Sequence, residues 1–213
     1  MKCIICEKRK PKRYCPAKRA EICPVCCGEK RGVEINCPLD CRYFVEGQKQ
    51  HHIKIMHQRI SKEGAGTYVR RAELYGQNPE IFARLEMTFA TVFRENNEIK
   101  NEDLVKALEL VNKTIETEKK GLIYQHQSDS SYANIISDNV LRVISEFKDN
   151  PDVGGNRITL DFAFAVIEEF LTEAKFYMEN HTNEKSYLIH ILRYYPDEPQ
   201  QEKSPEGGLI ITP

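Results

Sequence analysis

From residue 46 to residue 195, apolar positions recur three and four residues apart, the period of helices that bury one face. Asn78-Pro79-Glu80 reads as a helix start: an N-cap type, proline at the first helical position, then an acid. Ile81, Phe82, Leu85, Phe89, Val92 and Phe93 follow at helical spacing as far as Asn96. Asn101-Glu102-Asp103 opens a second helix, with Leu104, Val105, Leu108, Val111 and Ile115 on one face. Ser130 or Ser131 caps a third, carrying Ile136, Val140, Val143, Ile144 and Phe147. The most apolar helix runs from Thr159 to about Asn180 and belongs at the centre of a bundle. Asp161, Glu168, Glu169, Glu173 and Lys175 mark its solvent side. A last helix starts at Asn183-Glu184 and ends near Tyr195.

The weaker segments complete the outline. Residues 46–62 are polar, with a thin apolar stripe of Ile53, Ile55, Met56 and Ile60, and His51, His52 and His57 beside it read as exposed histidines. Glycines 64, 66 and 76 predict a hinge with a short helix between them. Residues 149–156 read as a turn, and their Gly154-Gly155 pair is no phosphate loop, because no Gly-Lys-Ser/Thr follows and no strand precedes. Residues 196–213 have linker composition and end in an apolar tip, Leu209-Ile210-Ile211. The expectation is an all-α fold: a helical bundle over residues 46–195, a flexible tail over 196–213, and a unit of another kind over 1–45.

That first unit is defined by sulfur. All eight cysteines lie within the first 41 residues: Cys3, Cys6, Cys15, Cys23, Cys26, Cys27, Cys37 and Cys41. Three pairs have the short spacing that lets a chain turn back and aim both sulfurs at one ion: Cys3-x2-Cys6, Cys23-x2-Cys26 and Cys37-x3-Cys41. With Cys15 and Cys27 the count matches two tetrahedral four-cysteine sites, and two structural zinc ions are expected. Adjacent cysteines point apart, so Cys26 and Cys27 are assigned to different ions. Cys3, Cys6, Cys23 and Cys26 form one set, and Cys15, Cys27, Cys37 and Cys41 the other, interleaved as a cross-brace. Pro24 and Pro38 pre-set the turns, and Gly28 is expected at a close backbone approach or a positive φ. Such a unit is too small for a hydrophobic core, so ligation contributes most of its folding free energy, on the order of 10 kcal/mol per structural zinc. An iron–sulfur cluster would leave four cysteines over. A redox dithiol at Cys3/Cys6 or Cys23/Cys26 lacks a βαβ setting. A catalytic zinc needs an open position and usually a histidine or carboxylate ligand.

Cys3-x2-Cys6, a basic spacer and Tyr14-Cys15-Pro16 resemble the opening of HIT-type zinc fingers, and the interleaving is similar to B-box and related cross-brace fingers. The resemblance covers about the first 40 residues. HIT fingers continue Cys-Pro-x-Cys and use a histidine ligand, whereas Ala17 and Lys18 follow Pro16 here and the first histidine is His51. Cys37-Pro38-x-x-Cys41-x-Tyr43 is also similar to the N-terminal region of bacterial proteins with no assigned activity. What the finger families imply is a role in protein interaction or assembly, less often in nucleic-acid binding.

Charge adds a second theme. Residues 1–49 hold 12 Lys/Arg against 6 Asp/Glu, and the remainder 19 against 26, beneath a net charge of −1. Lys8, Arg9, Lys10, Lys12 and Arg13, with Lys18, Arg19, Lys30 and Arg31, have two readings. They compensate the negative charge of thiolate–zinc sites, or they form a phosphate-binding surface with Tyr14 free to stack. In the body, Tyr124 and His126 after Gly121 are the one pair with the makings of an enzyme site. No apolar run is long enough to cross a membrane, and the first ten residues lack the apolar core of a signal peptide, so a cytoplasmic protein is expected. The favoured function is a non-catalytic, zinc-binding interaction or adaptor protein with a protein partner. The alternatives are a nucleic-acid-associated factor using Lys8, Arg9, Lys10, Lys12 and Arg13, and an enzyme with a site near Tyr124 and His126.

Overall fold

In the computed structural model a two-stranded antiparallel hairpin, β1 (Arg13–Cys15) and β2 (Ala20–Ile22), leads into eight helices among the described residues. These are α1 (Pro24–Lys30), α2 (Arg42–Glu63), α3 (Gly66–Gln77), α4 (Pro79–Glu95), α5 (Asn101–Lys119), α6 (Ser131–Asp149), α7 (Leu160–Asn180) and α8 (Ser186–Leu192). The structure describes residues 2–32, 34–38, 40–149, 157–192, 194 and 195, without the side chains of Gln48, His51, His52 and Thr67. The Gly154-Gly155 pair, most of the 149–156 turn and the 196–213 tail lie outside the described residues. The fold is all-α, and among the described residues the small hairpin and the short helix α1 inside the cysteine unit are additions to the sequence reading.

The strong helix signals act where the sequence places them. The Asn78 side chain accepts from the Ile81 amide at 3.2 Å, ahead of Pro79. Ser130 rather than Ser131 caps α6, through Oγ and the Ala133 amide at 3.2 Å. Thr159 caps α7 through the Phe162 amide at 3.1 Å. Helix α7 is central: it packs against α5 and contacts α2, α3 and α8, and its Ala163, Val166, Ile167, Phe170 and Ala174 are fully buried. Phe170 meets Phe82 and Phe89 of α4 at ring distances of 5.5 and 5.4 Å. The last helix begins at Ser186, not at Asn183. Its first turn is satisfied by Asn101, whose Oδ1 accepts from the Tyr187 amide at 3.2 Å and whose Nδ2 donates to Ser186 Oγ at 3.0 Å.

Two expectations about particular positions are overturned. Glu169 and Glu173 do not mark solvent. The Glu169 side chain is 5% exposed, and both carboxylates pair with arginines from α2 and α3. Their side of α7 faces α2 and α3 rather than water, so these two carboxylates need internal partners. Gly28 sits inside α1 with open space around it and no positive φ, and the left-handed glycine of this region is Gly32, at φ 69°.

Helix α2 is held differently from the others. Of its described side chains only Phe44, Ile55 and Arg59 are buried, and Ile53 and Ile60 of the predicted stripe are exposed. Its first turn grows directly from Cys41, its N-cap residue. There the cysteine unit meets the bundle. Arg31 lies across Gly47 and donates from Nη1 to the Tyr43 carbonyl at 2.8 Å. Asn183 donates from Nδ2 to the Gly32 carbonyl. A side chain at Gly32 would come within 2.7 Å of the Phe44 ring, so close packing as well as backbone conformation requires glycine.

Candidate metal centre

The centre is assembled from two local turns. In the first, the Glu7 amide donates to the Cys3 carbonyl at 2.8 Å and the Cys3 amide to the Arg9 carbonyl at 2.9 Å. Glu7 closes the turn with a left-handed φ of 52°. In the second, Cys23 directly follows β2 and is the N-cap residue of α1, its Sγ accepting from the Cys26 amide at 3.4 Å. Pro24 holds the first helical position, and Cys26 comes one turn later on the same side. The Cys23 amide donates to Cys3 Sγ at 3.2 Å and joins the two turns.

The sulfurs of Cys3, Cys6, Cys23 and Cys26 consequently lie within 4.8 Å of one another, with Cys6 and Cys23 at 3.9 Å. Four sulfurs around a tetrahedral ion, each about 2.3 Å from it, stand about 3.8 Å apart. The spacing fits that geometry, and Cys3, Cys23 and Cys26 are buried. This group could hold a metal ion, and its soft, all-sulfur donor set suits zinc or iron.

The surroundings favour thiolate unevenly. Amides of Lys8 and Arg9 donate to Cys6 and bring its thiol down to about 6. Burial opposes ionisation of Cys3, but amides of Cys23, Cys6 and Ile5 outweigh it and lower that thiol. Burial pushes Cys26 up to about 12, with Cys23, Cys6 and Cys3 adding to the effect. Four thiols this close cannot all ionise unless a cation joins them. The Arg9 side chain donates to Cys23 and Cys6 and offsets part of the negative charge.

The other predicted ligand set is gathered less tightly. Cys15 and Cys27 are buried, Cys37 and Cys41 half-buried, and among the described residues these four do not close to the spacing of the first group. They are nevertheless neighbours. Burial raises the Cys37 thiol, and the charges of Cys41, Cys15 and Cys27 raise it further. Cys37 packs against both the sulfur-rich cluster and the bundle core, so this set lies at the junction. Cys26 belongs to the first group and Cys27 does not, as their divergent directions predict.

The basic run is mostly exposed: Lys8, Arg9, Lys10, Lys12, Lys18 and Arg19 are exposed, as is Tyr14, and Arg13 is half-buried. Arg9 serves the sulfurs, and Arg13 lies 4.5 Å over the Tyr43 ring. Tyr124 and His126 meet edge to face at 4.9 Å on a surface segment, with Tyr124 61% exposed. His126 is held by Thr117 at 3.0 Å and Thr114 at 3.1 Å. His57 is exposed, as expected.

A buried ionic cluster in the bundle escapes sequence reasoning. Arg59 pairs with Glu63 at 2.9 Å and Glu169 at 3.2 Å, while Arg71 pairs with Glu173 at 2.9 Å and Glu86 at 3.5 Å. Tyr187 donates to Glu173 and Tyr195 to Glu86, each at 2.9 Å. Burial raises the Glu86 carboxyl and the Tyr187 and Tyr195 hydroxyls. One signal was available: Glu169 stands between Ile167 and Phe170 in the most apolar helix. Compared with models of protein families, with curated proteins and with solved structures, the chain matches none.

Proposed function

We propose that the chain is a non-catalytic interaction protein whose N-terminal module is folded around zinc. The observation that carries this reading is the convergence of Cys3, Cys6, Cys23 and Cys26 to tetrahedral spacing, with every position taken by sulfur. A closed four-thiolate set leaves no position for substrate, so the ion is structural and the module presents a surface rather than an active centre. A second zinc belongs to Cys15, Cys27, Cys37 and Cys41. Cys37 lies close enough to Cys41, Cys15 and Cys27 to feel their charge, and Cys41 opens α2, so the ion ties the module to the bundle. The partner is a protein, as the likeness to cross-brace fingers implies. Metal content measured by native mass spectrometry, on protein purified without added metal, tests this. Two zinc ions per chain are expected. Iron with visible absorbance, or no bound metal, would overturn the reading, and one zinc would remove the second site.

Nucleic-acid binding is the second reading, favoured by the exposure of Lys8, Lys10 and Lys12 beside Tyr14. The engagement of Arg9 by Cys23 and Cys6, and of Arg13 by the Tyr43 ring, weighs against it. Retention on single-stranded nucleic acid that declines steeply with salt and is lost on reversing Lys8, Lys10 and Lys12 would support it. Salt-insensitive or absent retention would remove it.

A further inference from the structure

The cysteine module carries a hollow of about 300 Å³ on its surface. Three segments distant in sequence line it. Ile4 and Ile5 come from the turn between Cys3 and Cys6, Lys18 from the turn between β1 and β2, and Lys30, Glu34 and Ile35 from the end of α1 and the chain beyond it. Where the lining is not charged it is aliphatic. Ile35 is buried in the sulfur-rich cluster, Ile5 packs against that cluster, and Ile4 is 52% exposed. Aliphatic side chains around an open hollow with a polar rim mark a contact surface.

The charges of the lining do not balance. Lys30 pairs with Glu34, so these two cancel. Lys18 is exposed and has no ionic partner among the described residues. One free ammonium group therefore stands beside the isoleucines. The setting is basic as well. Residues 1–49 hold 12 Lys/Arg against 6 Asp/Glu, and the balance stays positive after two four-thiolate zinc sites each add two negative charges. A phosphate backbone would use the ammonium group and leave the isoleucines idle. A wholly apolar segment would leave the ammonium group unpaired. An aliphatic side chain next to a carboxylate satisfies both.

We propose that this hollow takes an acidic segment of a partner protein. A leucine- or isoleucine-sized side chain seats against Ile4, Ile5 and Ile35, and a flanking Asp or Glu faces Lys18. The volume stands at the small end of ligand sites and has room for side chains rather than a whole helix. The inference rests on the reading of the module as a metal-folded interaction unit. Cys3 and Cys6 bracket two of the isoleucines, and Cys23 and Cys26 stand between the segment of Lys18 and that of Lys30. The group that could hold the ion therefore also fixes the walls of the hollow.

The test is selection from a random-peptide phage library on the immobilised full-length chain, its metal content checked by native mass spectrometry. The selected peptide is then titrated into protein labelled at the isoleucine methyls and followed by NMR. The expected consensus is an aliphatic residue flanked by Asp or Glu. Saturable shifts of Ile4 and Ile5 are expected, with affinity that falls as salt rises. Lys18→Glu should weaken binding about fivefold, and Ile4→Ser about tenfold. Both positions are exposed, and Lys18→Glu decides the matter if Ile4→Ser does not load metal. No consensus, a consensus without acidic residues, shifts confined to other isoleucines, or unchanged affinity in Lys18→Glu would each overturn the proposal. So would a single-stranded oligonucleotide that shifts Ile4 and Ile5 where the peptide does not. Protein that binds no metal would remove the functional reading beneath it, whereas metal-loaded protein without that consensus overturns this proposal alone.

Discussion

The module and the bundle bury their interiors with different chemistry. Around the metal centre the buried cluster consists, among the described residues, of Cys3, Cys15, Cys23, Cys26 and Cys27 with only Ile22 and Ile35 for hydrocarbon. Two isoleucines contribute about 2 to 3 kcal/mol each, too little to fix the conformation of some forty residues. The bundle instead layers Leu104, Leu108 and Val111 of α5 against Val166, Ile167 and Phe170 of α7, and holds together by apolar contact. The two regions should therefore fail separately. The module depends on what its sulfurs bind, the bundle on apolar packing, and they meet through Phe44, Gly32, Arg31 and Asn183.

Removing the metal is the strongest way to test that division. A chelator should unfold residues 2–41 and leave α4 to α8 folded, a loss on the order of 10 kcal/mol for a structural zinc site. Hydrogen exchange followed by mass spectrometry reads both regions at once. Uniform loss of protection along the chain would show a single cooperative unit. The opposite perturbation is Phe170→Ala, which empties the centre of the bundle and should cost about 3 to 5 kcal/mol in urea unfolding. Metal content should not change.

Gly32→Ala sharpens the contrast at the junction. It forces a left-handed backbone on alanine, at about 1 to 2 kcal/mol, and presses its Cβ on the Phe44 ring. The loss should appear in bundle unfolding although the substitution lies in the module, and unchanged stability would mean that the contact does not couple them. The smallest effect concerns Glu86. Burial raises its carboxyl, so the charged form is disfavoured in the folded state. Below the ordinary carboxylate value of about 4 it is protonated in both states. As pH rises, the unfolded chain ionises first, and the stability that Glu86 contributed is lost through its raised folded value. Glu86→Gln lacks this loss. Between acid and neutral pH the stability difference should therefore move in the variant's favour, by on the order of 1 kcal/mol. Acid-induced metal loss affects both proteins and cancels, and a pH-independent difference would contradict the burial of Glu86.

Much of this is legible from local pattern. Asn78-Pro79, Ser130 and Thr159 start helices through hydrogen bonds to amides three residues away, so neighbours in sequence suffice. The first sulfur group is legible for the same reason, because Cys3-x2-Cys6 and Cys23-x2-Cys26 are each a single turn. The misreadings share one cause. Glu169 and Glu173 read as solvent-facing because charge on a helix usually meets water, but their partners Arg59 and Arg71 lie about a hundred residues away. Gly28 reads as the glycine with a conformational task, and that task belongs to Gly32, where Phe44 and Asn183 close over the backbone.

The sequence by itself determined that the chain is helical beyond a sulfur-rich beginning, and which residues can serve as soft ligands, because period, capping and cysteine spacing are local properties of a chain. Only the tertiary structure decided that Cys6 and Cys23 stand 3.9 Å apart, that α2 is anchored by the buried charge of Arg59, and that Tyr187 and Tyr195 reach Glu173 and Glu86. Those facts depend on which distant segments share one desolvated space. There a charge must be paired with whatever the fold brings to it, and no local pattern in the chain records that pairing.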